Sequence, residues 1–133
     1  MRAVIADTGP LYAAVDPDDQ YHQKAQADLK QLQQENLGVV IAYPTVLEAY
    51  SLILYRLGNE TAKTFLQQIV SGVKLVNPTV DDYSAATELV GNFPDQKITL
   101  FDGITAIISY RLSSPVWTYD YHFDVMLVSV WHY

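Results

Sequence analysis

The sequence predicts an α/β fold in which helices cover both faces of a mainly parallel sheet of four to five strands. Short apolar segments rich in β-branched residues alternate with longer helical segments along the chain, as they do in parallel sheets. One of these segments, LGVVIA, is apolar throughout, which is typical of a strand buried on both faces. The 133 residues suit one domain over 1–133, large enough to bury roughly two-thirds of its unfolded surface.

Strands are predicted where β-branched runs end at turn residues. These runs are RAVIAD, which stops at Thr-Gly-Pro, then LGVVIA, VKLVNP and PVWTYD, with VMLVSVW as a candidate fifth strand. Because crossover connections keep such strands parallel, their carboxyl ends meet at one edge of the sheet. Ligands of open α/β sheets bind at that edge.

Helices are predicted between the strands. The first is GPLYAAV, with Pro10 in its first turn, where a missing N–H costs nothing. A longer helix is predicted over 16–36, because three aspartates favour its start and a sparse apolar stripe follows. YPTVLEAYSLILYRLGN begins near Pro44, and TVDDYSAATELVGN begins with the capping pair Thr79 and Asp82. The remaining helices are ETAKTFLQQIVSG and the strongly apolar LFDGITAIISYRLSS.

The composition excludes several classes of site. No cysteine is present, which excludes disulfides, thiolate metal sites and cysteine nucleophiles, and fits a reducing compartment. No apolar run approaches the ~18 residues of a membrane span, so we expect a cytoplasmic protein without a membrane partner. The formal net charge of −7 argues against a general nucleic-acid binder, which usually carries a basic face.

Four acidic residues lie in apolar surroundings, where an isolated charge is costly. They are Asp7 in VIADTG, Glu48 in TVLEAYSLIL, Asp102 in TLFDGITAII and Asp120 in VWTYDYHF. Each also has a local explanation, since a lone carboxylate can cap a helix, favour its first turn, hold a loop turn or lie on a solvated stripe.

The predicted topology can bring these four carboxylates together. Asp7 and Asp120 follow predicted strands, whereas Glu48 and Asp102 lie in early turns of helices near the same edge. At ~5 Å each like-charged pair costs between about 1 and 3 kcal/mol, so an empty cluster repels itself. A divalent cation relieves that repulsion, and a carboxylate set without cysteine favours Mg²⁺ or Mn²⁺ over Zn²⁺. The matching chemistry is metal-assisted hydrolysis of a phosphodiester.

Four segments, in this order, resemble a PIN domain. They are ADTGPLYA, TVLEAY, LFDGITAII and WTYDYHF. Within that family the chain is similar to small toxins of the VapC type, the nuclease half of a toxin–antitoxin pair. The resemblance implies a PIN-like three-layer α/β/α sandwich and a metal-dependent endoribonuclease whose RNA products carry 5′-phosphate and 3′-hydroxyl ends.

The resemblance also implies roles for particular residues. Asp7, Glu48, Asp102 and Asp120 would be the catalytic set and would hold one or two Mg²⁺ or Mn²⁺ ions. Thr8 would be the hydroxyl neighbour of the first of these carboxylates. Without the four carboxylates the net charge of −7 becomes −3, so bound cations would make the site itself compatible with RNA.

Residues near these segments are open to two interpretations. Thr118 and Thr105 could orient a carboxylate or a phosphate, or could satisfy nearby backbone. Asp124 is a fifth nearby carboxylate, either a surface residue or an auxiliary site residue. His122, beside Phe123, is expected to pack or hydrogen-bond structurally rather than to act as a general base.

Aromatic and apolar residues suggest partners. Tyr119 and Tyr121 flank a candidate site residue and could stack on an unpaired base, although core packing or an interface is the commoner use. The helix segment YSLILYRL carries more apolar surface than one face needs, which suggests a homodimer. The resemblance implies a cognate antitoxin protein as well. Gly103, where the family often has Ala, could allow another backbone to approach closely.

The alternative function is a catalytically inactive PIN-like module for protein interaction or ion binding. A phospho-receiver would need a lysine late in the chain, and none follows Lys97. A degenerate PIN domain should have lost at least one carboxylate, whereas all four are present. The sequence therefore favours a nuclease with RNA as its substrate.

Overall fold

The computed structural model describes residues 2–131. The strands in this range are β1 (Ala3–Ala6), β2 (Gly38–Ala42), β3 (Lys74–Val76) and β4 (Val116–Trp117). The helices are α1 (Thr8–Val15), α2 (His22–Gln34), α3 (Tyr43–Leu57), α4 (Asn59–Gly72), α5 (Val80–Gly91), α6 (Leu100–Leu112) and α7 (His122–Val125). Two helices lie between each strand and the next, in the predicted order, and α7 was not predicted.

The four strands form one parallel sheet in the order β3-β2-β1-β4. Ile5 of β1 lies opposite Val40 of β2 on one side and Val116 of β4 on the other. β1 is therefore an inner strand, and all four of its residues are buried. Because the strands are parallel, their carboxyl ends meet at one edge of the sheet, as predicted.

Side chains of the sheet alternate between two apolar cores, one on each face. On one face Ile5 packs with Ala86 of α5 and Ile108 of α6. On the other face Val4 packs with residues of α1 to α4, among them Ile53. The predicted three-layer α/β/α sandwich is confirmed.

The candidate fifth strand is only partly formed. Its first residue, Val125, ends helix α7, and its pairing is a single parallel bridge between Val116 and Val130. Leu127 adopts a left-handed backbone with a φ of 59°. Since extended pairing requires negative φ, this residue interrupts the strand.

Helix α2 begins later than the sequence predicts, because the acidic segment before it folds into turns. The predicted helix covered 16–36, whereas α2 begins at His22. Asp16 and Asp19 each accept a hydrogen bond from the backbone N–H two residues ahead, at 3.0 and 2.9 Å. These local bonds compete with helix formation at the same backbone groups.

The predicted helix starts at α3 and α5 are confirmed. Pro44 lies in the first turn of α3. At α5, Thr79 Oγ1 accepts the Asp82 N–H at 3.1 Å and the Asp82 carboxylate accepts the Thr79 N–H at 2.9 Å. Between residues 2 and 131, no helix combines the length and the hydropathy needed to cross a bilayer.

Helices α5 and α6 approach closely at Gly103. A Cβ atom there would lie 2.7 Å from Val90 Cγ2 and 3.2 Å from the Ala86 carbonyl oxygen. The missing side chain therefore permits the close backbone approach that the sequence suggested. This contact fixes the start of α6, where Asp102 lies.

Candidate acidic active site

The four predicted carboxylates line one cavity of about 380 Å³ at the carboxyl edge of the sheet. Asp7 connects β1 to α1, and Asp120 follows β4. Glu48 lies in the second turn of α3, and Asp102 lies in the first turn of α6. Four elements that are distant in the sequence therefore deliver one carboxylate each to the same space.

Asp7 lies at the end of an inner strand and is 5% exposed. Its backbone N–H donates to the Trp117 carbonyl at 3.0 Å, so the pairing of β1 with β4 fixes its position. Its Oδ2 accepts a hydrogen bond from Thr118 Oγ1 at 2.8 Å. Burial and the nearby charge of Asp102 raise the pKa of Asp7 to about 7, although the Thr118 hydroxyl favours the ionised form.

Asp102 is buried in the first turn of α6. Its backbone N–H donates to Oγ1 of Thr99, the N-cap residue, at 3.2 Å. Burial and the charge of Asp120 raise the pKa of Asp102 to about 6, with a smaller contribution from Glu48. Ionisation of Asp7 and of Asp102 is therefore unfavourable in this cavity.

Asp120 pairs with His122, for which the sequence predicts only a structural role. The His122 backbone N–H donates to Asp120 Oδ1 at 2.9 Å, and the Nδ1 atom lies 3.1 Å from the same oxygen. Asp102, Asp120 and His122 each offer a ligand atom, and these atoms all lie within 4.8 Å of one another. The two-residue spacing in the segment DYH was the available signal, because a turn after a strand brings such residues to one side.

Glu48 is half-buried and is held by a residue of another element. Thr8 Oγ1 donates a short hydrogen bond to Glu48 Oε1. Thr8 directly follows Asp7, so the end of β1 positions one carboxylate directly and a second one through a hydroxyl.

The auxiliary candidates Thr118, Thr105 and Asp124 lie in different places in the structure. Thr118 lies inside the cluster, where it donates to Asp7 and accepts the Asp120 N–H at 2.9 Å. Thr105 is buried, with its hydroxyl 3.4 Å from that of a threonine in α3. Asp124 is exposed and lines a neighbouring cavity instead of the acidic one.

Arg56 at the end of α3 also lines the acidic cavity. Its guanidinium lies 5.1 Å from the centroid of the Tyr12 ring, and the Tyr12 hydroxyl donates to Asp16 at 2.5 Å. The sequence offers Arg56 as one of several possible phosphate contacts, and its spacing of two helical turns from Glu48 places both residues on one face of α3. The cavity therefore combines carboxylates with a cation that suits a phosphate group.

A buried carboxylate outside the cavity fixes the segment that carries Thr118. Asp28 of α2 is 2% exposed and accepts hydrogen bonds from Trp117 Nε1 at 3.1 Å and the Tyr119 hydroxyl at 2.6 Å. The Lys24 ammonium lies 3.7 Å from the same carboxylate. Sequence reasoning missed Asp28, although its place on the apolar stripe of α2 was the signal.

The donor set fits a hard divalent cation. Oxygen ligands with at most one imidazole are typical of Mg²⁺ and Mn²⁺ sites, whereas Zn²⁺ sites favour nitrogen and sulfur. The raised pKa values of Asp7 and Asp102 arise from burial and also from repulsion by neighbouring carboxylates, which a bound cation would remove.

The fold is similar to those of three solved structures. VapC20 from Mycobacterium tuberculosis, described as a sarcin–ricin loop cleaving toxin, has a TM-score of 0.83 at 16% identity, over 95% of this chain and 96% of that one. VapBC2 from Rickettsia felis, bound to a promoter DNA fragment, gives 0.75 at 13% identity, over 96% of each chain. FitAcB from Neisseria gonorrhoeae gives 0.68 at 18% identity, over 97% and 96%.

No family model matches the chain, and no curated protein matches it by sequence. The predicted resemblance to PIN domains of the VapC type is confirmed for the fold, which these structures share over nearly their whole length. At 13–18% identity the similarity defines the class of fold, and the function is argued from the site.

Proposed function

We propose that this protein is a divalent-metal-dependent endoribonuclease that hydrolyses RNA phosphodiester bonds, as the toxin of a type II toxin–antitoxin pair. The observation that carries the proposal is the single cavity lined by Asp7, Glu48, Asp102 and Asp120. The likeness of the fold to VapC20, a toxin described as cleaving the sarcin–ricin loop, supports RNA as the substrate class. With RNA as the substrate, the proposed location is the cytoplasm.

The four carboxylates would hold one or two Mg²⁺ or Mn²⁺ ions. His122 is close enough to Asp102 and Asp120 to contribute a ring nitrogen. When bound, such an ion would polarise the phosphate and make a water molecule a better nucleophile. The expected products carry 5′-phosphate and 3′-hydroxyl ends.

The chain's own residues hold these ligands in place. Thr118 fixes the oxygen of Asp7 that accepts its hydrogen bond, and Thr8 does the same for Glu48. His122 orients Asp120 through its backbone N–H and its ring. Held ligands keep their geometry when substrate binds, which lowers the reorganisation needed in the transition state.

Arg56 is the proposed phosphate contact. It lines the same cavity, and a guanidinium can donate two parallel hydrogen bonds to one phosphate. Its position over Tyr12 limits its motion, so less side-chain entropy is lost on binding. A local cation of this kind reconciles RNA binding with the net charge of −7.

An antitoxin is the proposed protein partner. An apolar groove of about 770 Å³ borders the acidic cavity and shares Glu48 with it. Leu47, Leu100 and Phe101 line this groove with exposed fractions of 64%, 52% and 36%. A protein segment in the groove would reach the acidic cavity, which is where an inhibitor of a nuclease must act. VapBC2 and FitAcB, which share the fold, support this class of partner.

A homodimer is proposed through the outer face of α3. Tyr55 is 88% exposed there, in the apolar segment that the sequence analysis singled out. Light scattering of the purified chain tests this assembly: the proposal expects a mass of two chains that falls to one on Tyr55→Lys substitution. A single-chain mass for the wild type at micromolar concentration would exclude it.

Cleavage of a mixed RNA pool tests the nuclease proposal. We expect cleavage by the wild type with Mg²⁺ or Mn²⁺, none with EDTA, and a loss of about 100-fold or more in Asp7→Asn and Asp102→Asn. Asp95→Asn is the matched control, because Asp95 is exposed and lies outside the acidic cavity. Equal activity in all variants, or in EDTA, would contradict the proposal. A wild type without activity would favour the interaction module.

A further inference from the structure

A second cavity, of about 290 Å³, adjoins the acidic one on the side of β4. The two cavities share Tyr21, Tyr119 and Asp120 as lining residues. A strand of nucleic acid with a phosphate in the acidic cavity therefore has its neighbouring nucleoside beside this second cavity. The remaining lining groups include Lys24, Tyr121 and Asp124, which the proposed reaction does not use.

The aromatic rings of this cavity are accessible but held in place. Tyr121 is 64% exposed, and its ring centroid lies 4.4 Å from that of His122. Tyr21 is 39% exposed, and its ring lies 4.9 Å from the ring of Tyr119. Rings that are already positioned lose little freedom when a base stacks on them.

The charged groups at the rim complement a nucleotide. The Lys24 ammonium lies 5.5 Å from the centroid of the Tyr119 ring, where it can meet a phosphate. Asp124 is exposed on the same cavity, and a carboxylate accepts hydrogen bonds from the exocyclic amino group of cytosine. Uracil presents a carbonyl at the same position of its ring, and a carboxylate repels it.

We infer that this cavity is a subsite for an unpaired base next to the cleaved phosphate, with Tyr121 as the stacking surface and Asp124 as an acceptor that favours cytosine over uracil. This inference rests on the proposed nuclease function, because it takes the substrate to be single-stranded at the site. It also accounts for the proximity of Tyr121 to His122 and Asp120: a base on Tyr121 holds its phosphate near the candidate metal ligands.

Binding of fluorescently labelled single-stranded RNA to the full chain, with Ca²⁺ present, tests the subsite. We expect Tyr121→Ala to weaken the affinity about tenfold, while Tyr121→Phe stays within about twofold, because stacking needs the ring and not the hydroxyl. Tyr43→Ala is the matched control, since Tyr43 is exposed at the start of α3 and lines neither cavity. We also expect oligo(C) to bind about fivefold more tightly than oligo(U), and Asp124→Asn to remove that preference.

The outcomes separate the subsite from the nuclease. Wild-type affinity in Tyr121→Ala, or no RNA binding by the wild type, overturns the subsite. A preference for oligo(C) that persists in Asp124→Asn overturns the role of Asp124. RNA binding through Tyr121 without cleavage in Mg²⁺ or Mn²⁺ supports the subsite and overturns the nuclease. Cleavage by the wild type, combined with wild-type RNA affinity in Tyr121→Ala, supports the nuclease and overturns the subsite.

Discussion

Thr118 Oγ1 donates a hydrogen bond to Asp7 Oδ2 at 2.8 Å, which joins the ends of β4 and β1 beside the acidic cavity. The same hydroxyl oxygen accepts the backbone N–H of Asp120 at 2.9 Å. One threonine therefore sets the relative positions of two carboxylates that come from opposite ends of the chain.

Thr118→Val tests these two hydrogen bonds, because valine has a similar volume and no hydroxyl. We expect the free energy of unfolding to fall by about 1–3 kcal/mol, since a buried carboxylate and an N–H each lose a partner. The pKa of Asp7 should rise further, because the lost hydrogen bond favours the ionised form. Urea unfolding and carboxyl NMR titration measure both quantities. Thr118→Ser keeps the hydroxyl and should behave as the wild type; an unchanged pKa in Thr118→Val would refute the coupling.

Stability in EDTA should fall as the pH rises from about 4 to about 7. The pKa of Asp7 is raised from 3.8 to about 7 by burial and by Asp102, so the folded chain keeps a proton that the unfolded chain releases near pH 3.8. Over this range the folded state binds more protons, and raising the pH favours unfolding. The full effect is on the order of 4 kcal/mol, since one pKa unit corresponds to about 1.4 kcal/mol. Asp102, with its pKa raised to about 6, adds in the same direction.

Urea unfolding at several pH values checks this slope. Asp7→Asn should flatten it, and Asp95→Asn should leave it unchanged. Asp82 does not contribute to this slope between pH 4 and 7. Burial alone would raise the pKa of Asp82, but the Thr79 N–H and the Arg111 guanidinium outweigh burial and lower it. Its stabilisation is therefore lost only as the pH falls below 3.8. A wild type whose stability rises between pH 4 and 7 would contradict the raised pKa values of Asp7 and Asp102.

Asp28→Ala should destabilise the protein and weaken the site together. The substitution leaves the buried Trp117 N–H and the partly buried Tyr119 hydroxyl without their acceptor, at about 1–3 kcal/mol for the buried donor. We expect lower Mn²⁺ affinity as well, because these two residues flank Thr118. Asp28→Asn keeps an acceptor oxygen and should lose less stability and less Mn²⁺ affinity than Asp28→Ala. Full stability in Asp28→Ala would contradict the structural role of this carboxylate.

Gly103→Ala should destabilise the protein although alanine is the better helix former. The helix preference is worth about 1 kcal/mol in favour of alanine. Against it, the new Cβ would meet Val90 Cγ2 at 2.7 Å and the Ala86 carbonyl at 3.2 Å, and overpacking costs about 1–3 kcal/mol. Thermal unfolding should show a lower Tm, and Val90→Ala in the same chain should recover part of it. A raised Tm for Gly103→Ala alone would mean that α5 and α6 are further apart.

The sequence predicted the sheet and the position of its carboxylates because both follow from local rules. An apolar run that stops at Asp7 marks the end of a buried strand, and parallel strands end at one edge. That Asp7 and Asp102 line one cavity was therefore predictable from the order of the strands and helices along the chain. The turns at Asp16 and Asp19 were not, because aspartate favours both a helix start and a local turn.

Side-chain partners were harder to predict than positions. His122 was expected to pack or hydrogen-bond structurally, but its partner, Asp120, is shown only by the turn after β4. Asp28 and Arg56 act across elements whose relative placement depends on packing, so sequence spacing alone could not assign their partners. The candidate fifth strand is incomplete for a reason that the sequence does not show, because Leu127 adopts a left-handed backbone conformation that leucine rarely adopts.

Calorimetric titration of Mn²⁺ into the metal-free protein at neutral pH tests the central claim most directly, because the claim is that these carboxylates form one cation site. We expect saturable binding by the wild type and by Asp95→Asn, binding weaker by about tenfold or more in Asp102→Asn, and a Tm that rises with Mn²⁺. Absence of saturable binding in the wild type, or equal affinity in Asp102→Asn, would contradict it.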